Sequence, residues 1–323
     1  MLATAGLAVG AGCGKAATVR RSASTTSARP HWTTFVHANR PLDVVGPRRD
    51  GSMVAAAGGR LWLLRRSGSL QPFAAGYRSP GGEEPYIALS PGGCFGNGTV
   101  YALRLQSRPG VVAIRPSGRV RHFASITASG LIDGIAFDTT GHFGRRLLVT
   151  INHGSTTTVD SIGCRGGVQV ITSSAPRVEG GIAVAPATFG RFAGDLIAPD
   201  EQGGRIFAVS PQGKSSLVAR SGLPHGGDIG VESEAFVPNA SADALVADRL
   251  TPGNPHPGDD VVLRLRAATL KAAGVRPGDL LVATEGGART DDLRCGARSC
   301  SVRHVADGPS IAHVEGHIGF MPR

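Results

Sequence analysis

The sequence predicts an all-β fold, a β-propeller of about six four-stranded blades. The first observation is a recurring pattern: an acidic residue, one or two small residues, and a short apolar run that often ends in proline. The second is composition, because 47 Gly and 21 Pro supply turns while 41% of the chain is apolar. A repeat of about 40 to 50 residues that holds several short strands is typical of propeller blades. The acidic positions are Glu84, Asp133, Glu179, Glu232 and Glu315.

The N-terminal residues precede the repeats and predict an export signal followed by a tether. Residues 2–12 form an apolar run of small residues that ends at Cys13, which resembles the end of a bacterial lipoprotein signal with a lipidated cysteine. No Lys or Arg precedes this run, so the natural start is expected to lie upstream. The following polar segment, rich in Ser, Thr and Ala, predicts disorder. The chain divides into a signal-like segment (1–13), a tether (14–40) and a propeller (41–323).

The cysteines predict two disulfides in an exported protein. The count of five is odd, and a lipid on Cys13 leaves four. Cys295 and Cys300 enclose a short polar turn and fit a hairpin disulfide, while Cys94 and Cys164 lie near turns in successive repeats. Exported proteins commonly use cysteine in this way. The alternative is a zinc half-site at 295–300, but no second Cys or His pair stands at a suitable spacing.

Short apolar runs between turn residues predict the strands of each blade. The clearest repeat has four such runs, at 181–186, 195–199, 205–209 and 216–220. Runs at 52–57, 60–66 and 69–74 lack an acidic marker, whereas the last marker, 315–322, has no strands after it. Pairing that C-terminal strand with the three N-terminal strands would close the ring.

The blade count depends on the interval between the last two markers, which is 83 residues against 46 to 53 for the earlier ones. The interval holds either a sixth blade without a marker or an insertion into a five-bladed ring, and six blades are favoured. A short helix is expected at 265–273, ending at Gly274.

The charge of the chain does not predict a nucleic-acid partner. The formal net charge of +10 comes mainly from scattered arginines, without a recognisable module or stacking aromatics beside them. The sequence also has no phosphate-binding loop, no dinucleotide fingerprint and no Gly-x-Ser-x-Gly elbow. A monomer that touches the membrane only through its N-terminal lipid is expected.

Topology predicts that polar residues gather at one mouth of the central channel. The first strand of a blade starts where the second strand ends, so the five marker acids should meet residues that follow the second strands. Crowded carboxylates either keep protons or require a cation, and calcium suits such oxygen ligands. Acids at such junctions also serve as simple acceptors for turn N–H groups. The expected metal ligands are the five markers, and the expected rim residues are Asn152, His153, Asp200, Glu201, Asp248, Glu285 and His317.

The repeat pattern over about residues 40–322 resembles that of the superfamily of six-bladed propellers that includes gluconolactonase-like, NHL-type and strictosidine-synthase-like proteins. For gluconolactonase-like members, this resemblance implies a divalent cation, often calcium, held at the channel mouth. Their Asn-Gly-Leu and Ser-Asp-Gly motifs are not found here. The favoured function is therefore an envelope-associated binding or scaffold module for a protein, a cell-envelope polymer or a small polar ligand. The alternative is a metal-dependent hydrolase or lactonase.

Overall fold

The computed structural model describes residues 1–2, 30–79, 81–82 and 84–323, and it confirms a six-bladed β-propeller. Cys13 and residues 3–29 of the expected signal and tether lie outside the described residues, whereas Thr33–His37 of the expected tether form a strand of the propeller. Six antiparallel sheets of four strands each follow one another around a central channel. No helix of the described residues is long and apolar enough to cross a membrane.

The first strand, β1 (Thr33–His37), belongs to the sixth blade, and the next four blades follow in chain order. Blade I comprises β2 (Pro41–Val45), β3 (Met53–Ala57), β4 (Arg60–Leu64) and β5 (Leu70–Phe73). Blade II comprises β6 (Ile87–Leu89), β7 (Val100–Arg104), β8 (Gly110–Ile114) and β9 (Val120–Ser125). Blade III comprises β10 (Leu131–Phe137), β11 (Leu147–Asn152), β12 (Thr156–Ile162) and β13 (Val168–Pro176). Blade IV comprises β14 (Ala183–Val184), β15 (Leu196–Asp200), β16 (Arg205–Val209) and β17 (Ser215–Arg220).

Blades V and VI are interleaved along the chain. The remaining elements are β18 (Val231–Phe236), β19 (Asp243–Asp248), β20 (Val261–Leu265), α1 (Ala267–Ala272), β21 (Leu280–Thr284), β22 (Thr290–Cys295), β23 (Cys300–Ala306) and β24 (Val314–Met321). Blade V has the order β18-β21-β22-β23, and blade VI has the order β24-β19-β20-β1 from the channel outwards. Three strands of blade VI, β1, β19 and β20, therefore precede the last three strands of blade V in the chain.

This topology explains the long interval between the last two acidic markers and corrects the expected ring closure. The interval carries β19 and β20 of blade VI as well as three strands of blade V, so the sixth blade uses Glu315 as its own marker. Strands β3, β4 and β5 pair in succession outwards from β2, so the expected pairing of these N-terminal strands with the C-terminal strand is wrong. The ring closes because β1 and β24 occupy opposite edges of blade VI.

Burial within the blades follows from their stacking. The second strands are enclosed between neighbouring sheets, and β3, β15 and β21 are buried along their whole length. The outermost strands face solvent, as in β9, where Val120, Arg121 and His122 are exposed. Edge-to-face aromatic contacts join blades II and III, with ring centroids 4.9 Å apart for Phe95 and Phe137. The predicted helix is confirmed as α1, and Gly274 follows it at a φ of 80°.

Both predicted disulfides are confirmed. Cys94–Cys164 joins the loop after β6 to the turn after β12, so it links blades II and III across 70 residues of sequence. Cys295–Cys300 closes the hairpin between β22 and β23 across 5 residues.

Loss of the interblade disulfide is expected to destabilise the protein more than loss of the hairpin disulfide. Loop-closure entropy predicts about 4 kcal/mol for the long loop and about 2 kcal/mol for the short one. Denaturant unfolding of Cys94→Ser/Cys164→Ser beside Cys295→Ser/Cys300→Ser measures the difference. Equal losses in the two double variants would contradict the interblade role.

Candidate functional site

The five marker acids converge at one mouth of the channel, where the first strands start and the second strands end. One carboxylate oxygen each from Glu84, Glu232 and Glu315 lies within 4.8 Å of the others. The charges of Asp133 and Glu179 are close enough to act on Glu84. We call these five residues, together with Glu285 and His313, the acidic cluster. It draws on blades II to VI, so ring closure assembles it.

Tyr86 lies at the centre of the acidic cluster and was missed by the sequence reasoning. It is fully buried, and its hydroxyl is 2.7 Å from Glu232 Oε1 and 2.7 Å from Glu315 Oε2. A phenol donates one hydrogen, so the second short contact requires a proton on one of the two carboxyl groups. Glu315 also contacts a guanidinium group, whereas burial raises the pKa of Glu232 well above its ordinary value. The proton therefore belongs to Glu232.

Two further residues missed by the sequence reasoning, Arg249 and His313, complete the environment of Glu315. Arg249 Nη2 lies 2.7 Å from Glu315 Oε1. His313 Nε2 lies 3.1 Å from the same oxygen and 3.0 Å from Glu285 Oε1. Arg249 and His313 come from the loops after β19 and before β24. Because they carry no repeated pattern, only the fold brings them to the acids.

On the side of the cluster formed by blades III and IV, Asp133 and Glu179 each accept hydrogen bonds through one oxygen. Asp133 Oδ1 accepts a hydrogen bond of 2.9 Å from Thr150 Oγ1. Glu179 Oε2 accepts hydrogen bonds from Arg177 at 2.5 Å and from Asn152 at 3.2 Å. Asn152, an expected rim residue, thus contacts a marker acid. Arg177 compensates the charge of Glu179.

Burial changes the acidity of the cluster. It raises the pKa of Glu285 to about 10, and repulsion from Glu315 adds to the effect. Burial likewise raises the pKa values of Glu84 and Glu232 well above their ordinary range, with repulsion from Glu315 contributing for Glu84 and repulsion from Glu84 contributing for Glu232. Burial also raises the pKa of Asp133. Without a cation, Glu285 holds its proton at neutral pH.

The other expected rim residues have distinct environments. Burial raises the pKa of Glu201 to about 7, and Glu179 adds to this by repulsion. Asp248 accepts a hydrogen bond of 2.9 Å from the His313 backbone, and burial raises its pKa to about 6. Asp200 is bound by Arg205 at 2.6 Å and by the Gly203 N–H, as expected of a turn acceptor.

Two histidines expected at the mouth do not join the acidic cluster. His153 is exposed, and its Nε2 lies 2.8 Å from Thr158 Oγ1. His317 lines a cavity of about 340 Å³ at the opposite end of the first strands. Its Nδ1 lies 3.0 Å from Asp43 Oδ2, and the Asp43 carboxylate raises the pKa of His317 although burial acts to lower it.

Asp43 itself was missed, although its position carried a signal. It stands 41 residues before Glu84, which fits the repeat. Its oxygens accept hydrogen bonds from the backbone N–H groups of Ile87 and His317, so it ties blades I, II and VI together. Asp43 therefore has a structural role at the channel.

The acidic cluster fits a hard divalent cation. Calcium binds oxygens at about 2.3 to 2.6 Å, so one ion reaches donors up to about 5 Å apart. The oxygens of Glu84, Glu232 and Glu315 meet this limit, and so do donor atoms of Glu285, His313 and Glu315. Glu84 Oε2 is buried and has no hydrogen-bond partner among the described residues. The cluster thus offers a free ligand atom.

No family model and no curated protein matches the chain. Among solved structures, the chain is similar to regucalcin, a calcium-binding protein from Agrobacterium tumefaciens, with 10% identity and a TM-score of 0.53 over 90% of this chain and 82% of that chain. It is similar to a streptogramin B lyase, with 12% identity and a TM-score of 0.50 over 90% and 94%.

A protein of unknown function from Bacteroides thetaiotaomicron gives 11% identity and a TM-score of 0.52 over 88% of this chain and 65% of that chain. At such low sequence identities, structural similarity is evidence of the propeller fold alone, and a shared fold does not determine function.

Proposed function

We propose that the protein is an exported β-propeller that binds a divalent cation of the calcium type in the acidic cluster. The observation that carries this proposal is the meeting of Glu84, Glu232 and Glu315 oxygens within 4.8 Å, with Glu84 Oε2 lacking any other partner among the described residues. The calcium-binding name of the regucalcin structure agrees with it. The channel mouth then serves to bind a protein, a cell-envelope polymer or a small polar ligand.

Charge balance supports a cation at this position. The cluster contains six carboxyl groups, while two guanidinium groups of the described residues, those of Arg177 and Arg249, form ion pairs with them. Burial raises the pKa values of Glu84, Glu232 and Glu285, so ionising these carboxyl groups without a compensating charge is costly. A divalent cation replaces their protons and stabilises the ionised carboxylates.

Export and envelope attachment are part of the proposal. Two disulfides support an oxidising compartment, because such bonds are rare in the cytosol. The lipoprotein-like sequence at Cys13 provides the anchor, and the protein acts as a monomer at the envelope.

Calcium is expected to raise the melting temperature of the wild-type protein, and Glu84→Gln is expected to remove most of this rise. The variant keeps the shape of the side chain but loses the charge and one carboxylate oxygen. At a calcium concentration 100 times the dissociation constant, binding contributes about 2.7 kcal/mol. Melting curves in EDTA and in calcium, with metal analysis by mass spectrometry, measure the effect.

Asp200→Asn provides the matched control for this experiment. Asp200 lies at the same mouth but is bound by Arg205 and a turn N–H. Its replacement should lower the melting temperature equally in EDTA and in calcium. The cation proposal fails if wild-type protein holds no stoichiometric metal and melts at the same temperature in both buffers.

Metal-dependent hydrolysis of a lactone or ester is the second candidate, and the pKa of Glu201 favours it. A carboxyl group with a pKa of about 7 is suited to accept and return a proton near neutral pH. A bound divalent cation would supply polarisation of the substrate carbonyl. Glu201 Oε1 is buried and has no hydrogen-bond partner in the described part of the chain, so it can accept a proton from a water molecule. Calcium-dependent turnover of lactones that disappears in Glu201→Gln would favour the enzyme over the binding module.

A further inference from the structure

A second cavity, which we call the blade I pocket, lies beside the acidic cluster. Its volume is about 430 Å³, within the range of small-molecule sites. Leu42 of β2, Ala56 of β3 and Ile87 of β6 give it apolar walls, and the ring of Tyr77 is buried against it. The pocket therefore offers an apolar surface for the body of a ligand.

Three arginines from separate parts of the chain line the same pocket. Arg40 precedes β2, Arg60 begins β4 and Arg249 follows β19. The side chains of Arg40 and Arg60 are exposed and have no hydrogen-bond or ion-pair partner within the described part of the chain. Guanidinium groups bind carboxylates and phosphates through paired N–H donors. Arg249 is paired with Glu315, so it is Arg40 and Arg60 whose positive charge favours an anion in the pocket.

The backbone holds Arg40 in an unusual conformation at the pocket. Its φ is 43°, a left-handed value that is uncommon for residues other than glycine. The Arg40 N–H donates to Asp260 Oδ1 at 3.0 Å, and the Arg40 carbonyl accepts from Gly58 at 3.3 Å. These contacts hold the Arg40 backbone from both sides, so the fold sets the point from which the Arg40 side chain extends into the pocket.

We propose that the blade I pocket binds a small amphiphilic oxyanion, a carboxylate or phosphate attached to an apolar body. Arg40 and Arg60 bind the oxyanion, and Leu42 and Ile87 contact the apolar part. Glu84 does not oppose this binding, because its carboxylate lies with Glu232 and Glu315 in the acidic cluster. The inference goes beyond the cation site and holds whether the cluster contains calcium or protons.

The test uses 8-anilinonaphthalene-1-sulfonate, a fluorescent amphiphilic anion, with the full propeller in EDTA and in calcium. The dye should fluoresce on binding, and octanoate or octyl phosphate should displace it while 1-octanol should not. The stronger competitor identifies the headgroup. Arg40→Gln/Arg60→Gln should raise the dissociation constant about tenfold or more, because two charge-assisted hydrogen bonds are lost.

Arg66→Gln is the matched control, since it removes one exposed positive charge beyond the opposite end of β4. It should leave dye binding unchanged, and melting curves should show that all variants remain folded. Equal dye binding by wild-type protein and the double arginine variant would overturn the proposal. It would also fail if neither the dye nor octanoate bound. Loss of calcium binding alone would overturn only the cation site.

Discussion

Replacing Arg249 by Met is expected to lower the free energy of unfolding by about 3 to 5 kcal/mol in EDTA at pH 8, the usual cost of breaking a buried ion pair. Arg249 Nη2 is 2.7 Å from Glu315 Oε1, and the two side chains are 13% and 1% exposed. The variant leaves a buried carboxylate without its compensating charge. Denaturant unfolding measures the loss.

Two companion variants identify the cause of that loss. Arg249→Met/Glu315→Gln removes both charges and should recover part of the lost stability. Arg177→Met breaks the pair with Glu179, whose side chains are 28% and 17% exposed, so solvent screening should make its cost smaller. If Arg249→Met is as stable as wild type in EDTA, Glu315 is not ionised in the folded protein.

The stabilisation by calcium is expected to increase steadily from pH 5 to pH 9. The pKa values of Glu201 and Glu285 are raised to about 7 and about 10, from 4.5 for an ordinary glutamate. The raised pKa values stabilise the folded protein, and this contribution to the free energy of unfolding is complete below pH 4.5. It is lost as the pH rises through about 7 for Glu201 and about 10 for Glu285. The metal-free protein therefore loses stability as the pH rises, whereas calcium binds more tightly as the carboxyl groups of the acidic cluster lose their protons.

Melting curves at pH 5, 7 and 9, in EDTA and in calcium at matched ionic strength, measure this dependence. The difference between the two buffers should be small at pH 5 and largest at pH 9. Glu84→Gln should flatten the dependence, while Asp200→Asn should leave its slope unchanged. A calcium effect of equal size at all three pH values would show that the cation does not replace protons of the cluster.

The blades were predictable from sequence because each repeats the same local chemistry. Turn residues separate short apolar runs, and an acid marks the first strand of five blades. The interleaving of blades V and VI was not predictable in this way. Strands β19 and β20 lie in the long interval between the last two markers, and their short apolar runs fit pairing with β18 as well as with β24. Only packing of the complete ring decides between these partners.

The candidate site was predictable to the extent that it follows the repeat. The marker acids and Glu285 meet as expected, because equivalent ends of equivalent strands share one mouth. Tyr86, Arg249 and His313 act through single contacts made by the assembled ring, which no local pattern encodes. His317 was misplaced because β24 has an irregular register around Gly316, whose φ is 68°. Such an irregularity redirects the following side chains.

The interleaved blades also determine the order in which the molecule can be completed. The outer strand β1 cannot pair until β20 has been synthesised, more than two hundred residues later. Strand β19 likewise lacks its inner partner until β24 has been synthesised. Contacts so distant in sequence slow folding. Docking of β24 adds the inner strand of blade VI and brings Glu315 to Tyr86 in the same step. A nascent chain thus acquires its closed ring and its acidic cluster together, at the end of folding.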